Sequence, residues 1–322
     1  MSKVIAVGEI LVEIMTRNLG QEFLTPGELV GPFPSGAPAI FIDQAARMGV
    51  DCGIVARVGE DDFGLLNINR LQADGVDTSQ ILPTPGQTTG TAFITYFQDG
   101  SRKFIFHFTN AAAGCLRPED IDEEYLKNAG FLHIMGCSLS AGAGMRAAIL
   151  KAAGIAKQQG AQISFDPNIR PELLGSGEVK AVFDKVLALT DVLLTGESEL
   201  LTLMQSANIA EAVAALKNPG ISIIVLKNGA KGITLLTGGQ RTFFPPFEVA
   251  EIDPTGAGDC FDGAFVACLA EGRHPGEAAF IANAAGALAV TRKGPMEGAS
   301  FRKEIMDFIT ASGRTVERPY QS

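Results

Sequence analysis

The stretch from Asp253 to Phe265, DPTGAGDCFDGAF, combines acids and glycines in a spacing that could bind a phosphoryl group. It lies between a predicted strand end (FEVAEID) and a predicted helix (CFDGAFVACLAEG). At such a junction, small residues leave backbone N–H groups exposed at the positive end of the helix dipole, which favours an anion. Asp259 would lie beside that anion and could accept a proton from an attacking hydroxyl, as in a kinase. The alternative from spacing alone is that Asp259 only caps a helix whose glycines allow close packing.

Other motifs that bind nucleotides or activate a nucleophile are absent from the sequence. It contains no GxxxxGK[ST] run of a P-loop, no GxGxxG of a dinucleotide fold, no zinc-protease HExxH and no GxSxG of a serine hydrolase. The three histidines, His107, His133 and His274, are widely separated and are interpreted as structural or surface residues. These absences leave the glycine-rich stretch as the main candidate for chemistry.

The composition is that of a compact enzyme. The chain has 322 residues, of which 46% are hydrophobic and 19% charged, so it can bury a sizeable core. The formal net charge of −10 argues against a nucleic-acid partner. No apolar run reaches the roughly 18 residues of a membrane helix, and we expect no membrane partner.

The N-terminal segment and the cysteines both indicate a cytoplasmic protein. Glu9 and Glu13 interrupt the apolar start MSKVIAVGEILVEIM, which predicts a buried first strand rather than a signal peptide. The five cysteines show no CxxC spacing, which fits buried, reduced thiols better than disulfides or a zinc site.

The elements that must position the glycine-rich stretch alternate between β-rich and helical runs. The predicted strands are Val4–Val7, Gly53–Val58, Phe131–Met135, Gln162–Asp166, Val192–Leu194, Ser222–Lys227 and Ile233–Leu236. The predicted helices are Ile40–Met48, Phe63–Asp74, Gly144–Gln159, Val179–Ala188, Asp259–Glu271 and Pro275–Thr291. This order predicts a parallel sheet covered by helices on both faces, with ligands at the carboxyl ends of the strands.

Two segments break this alternation. Residues 11–33 and 88–109 carry period-two patterns rich in Thr, Phe and Tyr, including TTGTAFITYF and KFIFHF, without helical partners. They predict a small β-sheet that stands apart as a lid over a cleft. The alternative is a sheet that serves only as an oligomer surface, and both roles are compatible.

Several motifs together resemble the PfkB (ribokinase-like) carbohydrate kinases. DPTGAGDCFDGAF resembles the family's C-terminal signature D-x-x-G-A-G-D-x-F-x-G, and the segment from Pro34, PSGAPA with AARMG, resembles its substrate-side motif. VGEDDFG (Val58–Gly64), SFDPNIRPELL (Ser164–Leu174), VLKNGAKGITLL and AVTRKG (Ala289–Gly294) are similar to further family segments in the same order. The matches span nearly the whole chain.

The resemblance implies a fold and a division into parts. The family fold is α/β, a ribokinase-like doubly wound, mostly parallel sheet with helices on both faces and a small β-sheet lid. We therefore expect residues 1–10, 34–87 and 110–322 to form the α/β domain, with 11–33 and 88–109 forming the lid inserted in it. A homodimer through the lid is expected, because lid sheets with open edges often pair in this family.

The resemblance also assigns roles around the glycine-rich stretch. Asp259 is implied as general base, and the N–H groups of Gly256, Ala257 and Gly258 as the anion hole for the γ-phosphoryl of ATP. The residues implied to hold a monovalent cation, K⁺, are Asp253, Thr255, Ala289, Arg292 and Gly294. Ribokinase has Ser where this chain has Gly298, so the sequence departs from the family at this site.

ATP and Mg²⁺ are implied as cofactors. ATP is expected along Thr195–Glu199, Lys227–Gly232 and the helix around Asn283, with contacts from Thr195, Lys227, Gly229, Gly232 and Asn283. Glu199 is implied to order water around Mg²⁺. The family's N-x-x-E motif has Gly196 in place of its Asn here, which makes metal coordination the most altered part of the site.

The residues expected to contact substrate differ from those of many relatives. They are Glu13, Gly36, Ala37, Asp43, Phe106, Phe108, Asn168 and Arg170. Glu13 replaces an Asp, and Ile40 replaces an Asn whose contact Asp43 or Gln44 could supply. Phe106 and Phe108 replace a polar and a cationic group that grip the carboxylate in 2-keto-3-deoxygluconate kinases.

The altered substrate residues favour a neutral sugar. Burying a carboxylate against Phe without its Arg would cost on the order of several kcal/mol, although His107 and Arg170 could compensate in part. We therefore expect a tagatose- or fructose-type ketohexose, with 2-keto-3-deoxygluconate as the alternative. A nucleoside kinase and a non-catalytic sugar sensor on the same fold are further alternatives, and the intact Gly-Ala-Gly-Asp run argues against the sensor.

Overall fold

The computed structural model describes residues 2–169, 177–216 and 220–315. Its strands are β1 (Lys3–Val7), β2 (Leu11–Thr16), β3 (Leu29–Ser35), β4 (Cys52–Gly59), β5 (Ile81–Thr84), β6 (Gly90–Tyr96), β7 (Arg102–His107), β8 (Ala129–Met135), β9 (Gln162–Asp166), β10 (Val192–Gly196), β11 (Ile223–Lys227), β12 (Ile233–Thr237) and β13 (Gln240–Phe244). Its α-helices are α1 (Ala37–Arg47), α2 (Asp62–Ala73), α3 (Glu123–Leu126), α4 (Ala143–Gln158), α5 (Gly177–Leu189), α6 (Glu197–Met204), α7 (Ile209–Ala215), α8 (Ala257–Ala270), α9 (Pro275–Ala289) and α10 (Arg302–Ala311).

The larger sheet of the described chain has nine strands in the order β13-β12-β11-β10-β9-β8-β1-β4-β5. Neighbouring strands from β5 to β11 pair in parallel, whereas β12 and β13 form an antiparallel edge. The predicted α/β class with a mostly parallel sheet is confirmed. Because β1, β8, β9, β10 and β11 run in parallel, their carboxyl ends lie at the same edge of the sheet, and the loops that follow them meet there.

Helices cover both faces of this sheet because its strands are apolar on both sides. In β1, Val4 and Ala6 pack toward α1, α2, α8, α9 and α10, while Ile5 and Val7 pack toward α3 to α7. All four of these side chains are fully buried. A near-continuous apolar run is typical of a strand buried on both faces, and it holds the carboxyl end of β1 in a rigid position.

A second sheet of four strands stands apart in the order β3-β2-β6-β7. β2 pairs antiparallel with β3 and parallel with β6, and β7 pairs antiparallel with β6. Its strands come from the two segments that the sequence assigns to a lid, and the small lid sheet is confirmed. The exact division of the chain into two parts stays a prediction. Among the described helices, none has the length and apolar character needed to cross a membrane.

Candidate active site

One cavity of about 620 Å³ lies between the carboxyl ends of the parallel strands and the lid. Residues that follow directly on β1, β8, β9, β10 and β11 line it, namely Glu9, Cys137, Asn168, Glu199 and Gly229. Residues of the lid sheet form the opposite wall. This is the position at which open α/β sheets bind ligands, and the volume suits a nucleotide and a small substrate together.

The glycine-rich stretch forms the N-terminus of α8 at this cavity. Gly256 is the N-cap residue and has φ +79°, a left-handed conformation that favours glycine. A Cβ atom at Gly256 would stand 2.3 Å from the carbonyl oxygen of Pro295, so a side chain cannot be accommodated without a backbone shift. Ala257, Gly258 and Asp259 form the first turn, and all four residues line the cavity. The backbone N–H groups of this turn thus present a positive dipole end to a ligand.

Asp259 is buried and is held by Asn168. The Asn168 side-chain amide donates to Asp259 Oδ1 over 3.2 Å, and the backbone N–H of Asn168 donates to Asp166 Oδ1 over 2.9 Å. Asn168 has φ +39°, a conformation that Asn tolerates better than most residues. The residue predicted to contact substrate therefore also contacts the predicted base.

Lys227 lies behind the anion-binding turn in a buried ionic cluster. Its ammonium contacts Asp166 Oδ2 at 2.9 Å and the two carboxylate oxygens of Asp262 at 2.9 and 3.0 Å. Burial lowers the pKa of Lys227, but the charges of Asp166 and Asp262 outweigh that effect and raise its pKa above the ordinary range. Three acceptors thus engage the three ammonium hydrogens. Lys227 contributes positive charge near Gly258, whose Cβ would lie 3.6 Å from the Lys227 Nζ atom.

The substrate side of the cavity combines hydrogen-bonding groups with an aromatic row. Glu13 lies on β2, and its Oε1 atom accepts from Ser35 Oγ over 2.7 Å. Gly36 and Ala37 begin α1 beside it, and both line the cavity. Phe104, Phe106 and Phe108 also line it; the first two rings stack at 5.2 Å, and Phe106 meets Phe108 edge to face at 5.7 Å. The side chains at this end can bind hydroxyls and the apolar face of a sugar.

Some of the residues predicted to bind ATP and Mg²⁺ line the cavity. Gly229 and Asn283 line the cavity, and the Asn283 amide donates to the carbonyl of Pro245 over 2.9 Å. Glu199 accepts from the backbone N–H groups of Gly196 at 2.7 Å and Ile169 at 3.0 Å. Glu199 lines the cavity wall, where a carboxylate could order the water around Mg²⁺.

Three of the five predicted cation residues, Asp253, Thr255 and Gly294, contact one another next to the anion-binding turn. Asp253 accepts from the backbone N–H groups of Thr255 at 3.0 Å and Gly294 at 2.9 Å, and from the Tyr96 hydroxyl at 2.9 Å. Three of roughly four acceptor positions on this buried carboxylate are thus filled by protein donors. The remaining acceptor position on Asp253 Oδ2 could bind a monovalent cation. It would supply a single ligand rather than a complete coordination shell.

Several predicted residues lie away from the cavity lining or outside the described chain. Asp43 is fully buried, with Oδ2 at 3.1 Å from Arg70, and burial raises its pKa to about 8 against the opposing charge of Arg70. Gln44 exchanges two hydrogen bonds with the backbone of Ser300. The other predicted residues that do not line the cavity are Thr195, Gly232, Asp253, Ala289, Arg292 and Gly294. Arg170 lies outside the described residues.

Sequence reasoning missed lid residues that line or brace the site. Arg102 and Phe104 line the cavity, and the Tyr96 hydroxyl contacts Asp253 and Thr255. The alternation of residues along β7 could have identified Arg102 and Phe104, because side chains at alternate positions of a strand share a face. Once Phe106 is placed on the inner face of β7, Phe104 and Arg102 must lie on that face too.

Known proteins resemble the chain over nearly its full length. Residues 1–302 match the description "pfkB family carbohydrate kinase". A fructokinase from Vibrio alginolyticus is 34% identical over 283 residues, covering 86% of this chain and 91% of that protein. A 2-dehydro-3-deoxygluconokinase from Thermoproteus tenax is 32% identical over 320 residues, covering 97% of this chain and 95% of that protein.

Solved structures of similar proteins also include sugar kinases. An E. coli protein provisionally named ribokinase II, in complex with ATP and Mg²⁺, is 47% identical with a TM-score of 0.91, covering 97% of this chain and 100% of that chain. A Vibrio cholerae fructokinase double mutant with fructose, ADP and potassium ion bound is 28% identical with a TM-score of 0.84, covering 96% and 98% of the two chains.

Proposed function

Because the chain belongs to the pfkB family of carbohydrate kinases and is an ATP-dependent phosphotransferase, we propose that it phosphorylates a primary hydroxyl of a tagatose- or fructose-type ketohexose. The observation that carries the sugar assignment is the wall around Glu13, Phe106 and Phe108. Among the described cavity residues the cations are Arg102 and Lys227. Lys227 is paired with Asp166 and Asp262, and Arg102 contacts Thr255 and the Phe104 ring, at the far end of the aromatic row from Phe108. A carboxylate there would face aromatic rings and an acid, which is unfavourable.

The proposed reaction places the sugar hydroxyl between Asp259 and the first turn of α8. Asp259 accepts the hydroxyl proton while the sugar oxygen attacks the γ-phosphorus of ATP and the bond to the β-phosphate oxygen breaks, releasing ADP. The N–H groups of residues 256–258 bind the transferred phosphoryl. Glu199 would hold the water shell of Mg²⁺, which would supply positive charge to neutralise the phosphates of ATP. K⁺ held by Asp253 would add positive charge next to the anion-binding turn and so strengthen its attraction for the transferred phosphoryl.

A substrate panel tests the sugar assignment. We expect ADP release with ATP, Mg²⁺ and K⁺ to be fastest with tagatose or fructose and slower with ribose, adenosine or 2-keto-3-deoxygluconate, by roughly tenfold or more in kcat/KM. Omitting each cation in turn measures its contribution. Turnover with 2-keto-3-deoxygluconate alone would contradict the assignment.

A 2-keto-3-deoxygluconate kinase is the second candidate. It is favoured by the Thermoproteus tenax relative, which matches 97% of this chain, and by Arg170 in the segment SFDPNIRPELL. In that case Arg170 would supply the cation that the aromatic row lacks.

We also propose a homodimer through the outer face of the lid. Ile105 alternates with Phe104 and Phe106 on β7 and is 38% exposed on the opposite face, and Leu24 and Leu29 are more exposed still. Large apolar side chains that are exposed on a small sheet and its connecting loop support an interface there.

Light scattering tests the dimer. The wild-type protein should have twice the monomer mass, and Ile105→Asp should shift it toward the monomer, because a charge would be buried in the interface. Leu65→Asp, on α2 and 57% exposed, is the matched control that should leave the mass unchanged. A wild-type monomer at all concentrations would contradict the proposal.

A cytoplasmic location is part of the same proposal. The five cysteines are free thiols and four of them are buried, as expected for a protein of a reducing compartment that uses ATP.

A further inference from the structure

The outer end of the lid touches the loop that leads into the anion-binding turn. Arg102 on β7 pairs in register with Tyr96 on β6. Arg102 Nη1 donates to Thr255 Oγ1 over 3.2 Å, and the Tyr96 hydroxyl lies 2.8 Å from the same Thr255 oxygen. Thr255 immediately precedes Gly256. Because Arg102 and Thr255 both line the cavity, the guanidinium lies at the cavity wall and contacts the residue that precedes the anion-binding turn.

Arg102 is one of two cations among the described residues that line the cavity, where acids predominate. The acids that line it are Glu9, Glu13, Asp166, Glu199, Glu248, Glu251 and Asp259. Its described cations are Lys227, whose three donors are taken by Asp166 and Asp262, and Arg102. Among the described residues, Arg102 has the Thr255 hydroxyl and the Phe104 ring as neighbours and no carboxylate in ion-pair contact. Most of its five donors thus remain for an anionic ligand.

The strand register indicates which anion Arg102 would meet. Glu13 is level with Ala92 and Phe106, four residues along β7 from Arg102, which is about 13 Å at 3.3 Å per residue. The reacting hydroxyl of the sugar must lie by Asp259 and the α8 turn. A carboxylate at the other end of the sugar would then point away from that turn, whereas the transferred phosphoryl would lie against it.

We propose that Arg102 is a catalytic residue that binds the transferred phosphoryl group from the lid side. As the bond from the γ-phosphorus to ADP breaks and the bond to the sugar oxygen forms, negative charge spreads over the equatorial oxygens of the phosphoryl. The amides of residues 256–258 contact these oxygens from one side and the guanidinium from the other. This role rests on the kinase reaction but not on the identity of the sugar.

Substitutions at Arg102 and at its neighbour test the proposal. We expect Arg102→Gln to lower kcat by roughly 100- to 1,000-fold, the usual effect of losing a donor to a charged transition state, while the KM for the sugar changes only a few-fold. Arg102→Lys should retain part of kcat. Lys103→Gln is the matched control, because Lys103 is the adjacent cation on the outer face, paired with Glu22, and should behave as wild type.

Two further readouts separate a catalytic from a structural role. Guanidinium added to Arg102→Ala should restore part of kcat, and the thermal midpoints of the variants should match the wild type. The acceptor is whichever panel compound gives ADP, so a wrong sugar assignment leaves this test intact. Wild-type kcat in Arg102→Gln would overturn the proposal. So would a loss confined to the KM of an acidic sugar, which would instead make Arg102 a substrate-carboxylate contact.

Discussion

Asp259→Asn should lower kcat by roughly 1,000-fold or more, because the amide cannot accept the proton of the attacking hydroxyl. The substitution is isosteric, and the Asn168 amide can still donate to an oxygen at position 259 over a distance close to the present 3.2 Å. The fold and ATP binding should therefore change little. Sugar-dependent ADP release, calorimetric ATP binding and the thermal midpoint measure the three effects.

Asp262→Asn is the informative comparison for this prediction. Asp262 lies one turn further along α8, is fully buried and contacts Lys227, but it does not line the cavity. Its replacement should lower the thermal midpoint, because a buried cation loses part of its compensation, and should reduce kcat far less than Asp259→Asn. Near wild-type turnover in Asp259→Asn would show that another group takes the proton.

Gly256→Ala should have the second large effect. The left-handed φ of +79° and the carbonyl of Pro295 at 2.3 Å from the new Cβ force the turn to move. We expect a loss of about 1–3 kcal/mol in unfolding free energy and of roughly 100-fold or more in kcat as the amides leave their positions. Denaturant unfolding and ADP release measure both quantities.

Gly258→Ala is the matched control two residues on. Its φ is helical, and the added Cβ would meet the Lys227 Nζ atom at an ordinary 3.6 Å. Stability should be retained or slightly increased, since Ala favours a helix over Gly. Equal losses of stability in the two variants would show that the Pro295 contact does not determine the shape of the turn.

Sequence periodicity was sufficient for most of the fold. The strands buried on both faces, such as β1 and β9, are short apolar runs between helical stretches, and each predicted helix and strand is present. The edge strands of the larger sheet, β5 and β13, were not predicted. β5 has only four residues and contains Pro83, and β13 (QRTFF) has little apolar character before its last two residues. Such strands are defined by the partner they pair with rather than by their own pattern.

The site was predictable where one short segment builds it and less so where distant segments meet. Gly256 to Asp259 are contiguous, so their sequence indicates both the turn and its chemistry. Asp43 shows the limit, because a polar residue on α1 can face the cavity or an arginine on α2, and its partner Arg70 is 27 positions away. Arg102 required knowledge of how the lid folds back over the sheet.

The lid enters the chain at two separate points, with β2 and β3 between β1 and α1, and β6 and β7 after β5. The reacting groups on α8 belong to neither insertion, although the aromatic row that faces the sugar belongs to the second. The turn on α8 and the lid wall of the cavity, which includes Arg102, are therefore encoded in different stretches of the gene. Substitutions in the lid can reshape that wall while the turn and Asp259 stay unchanged.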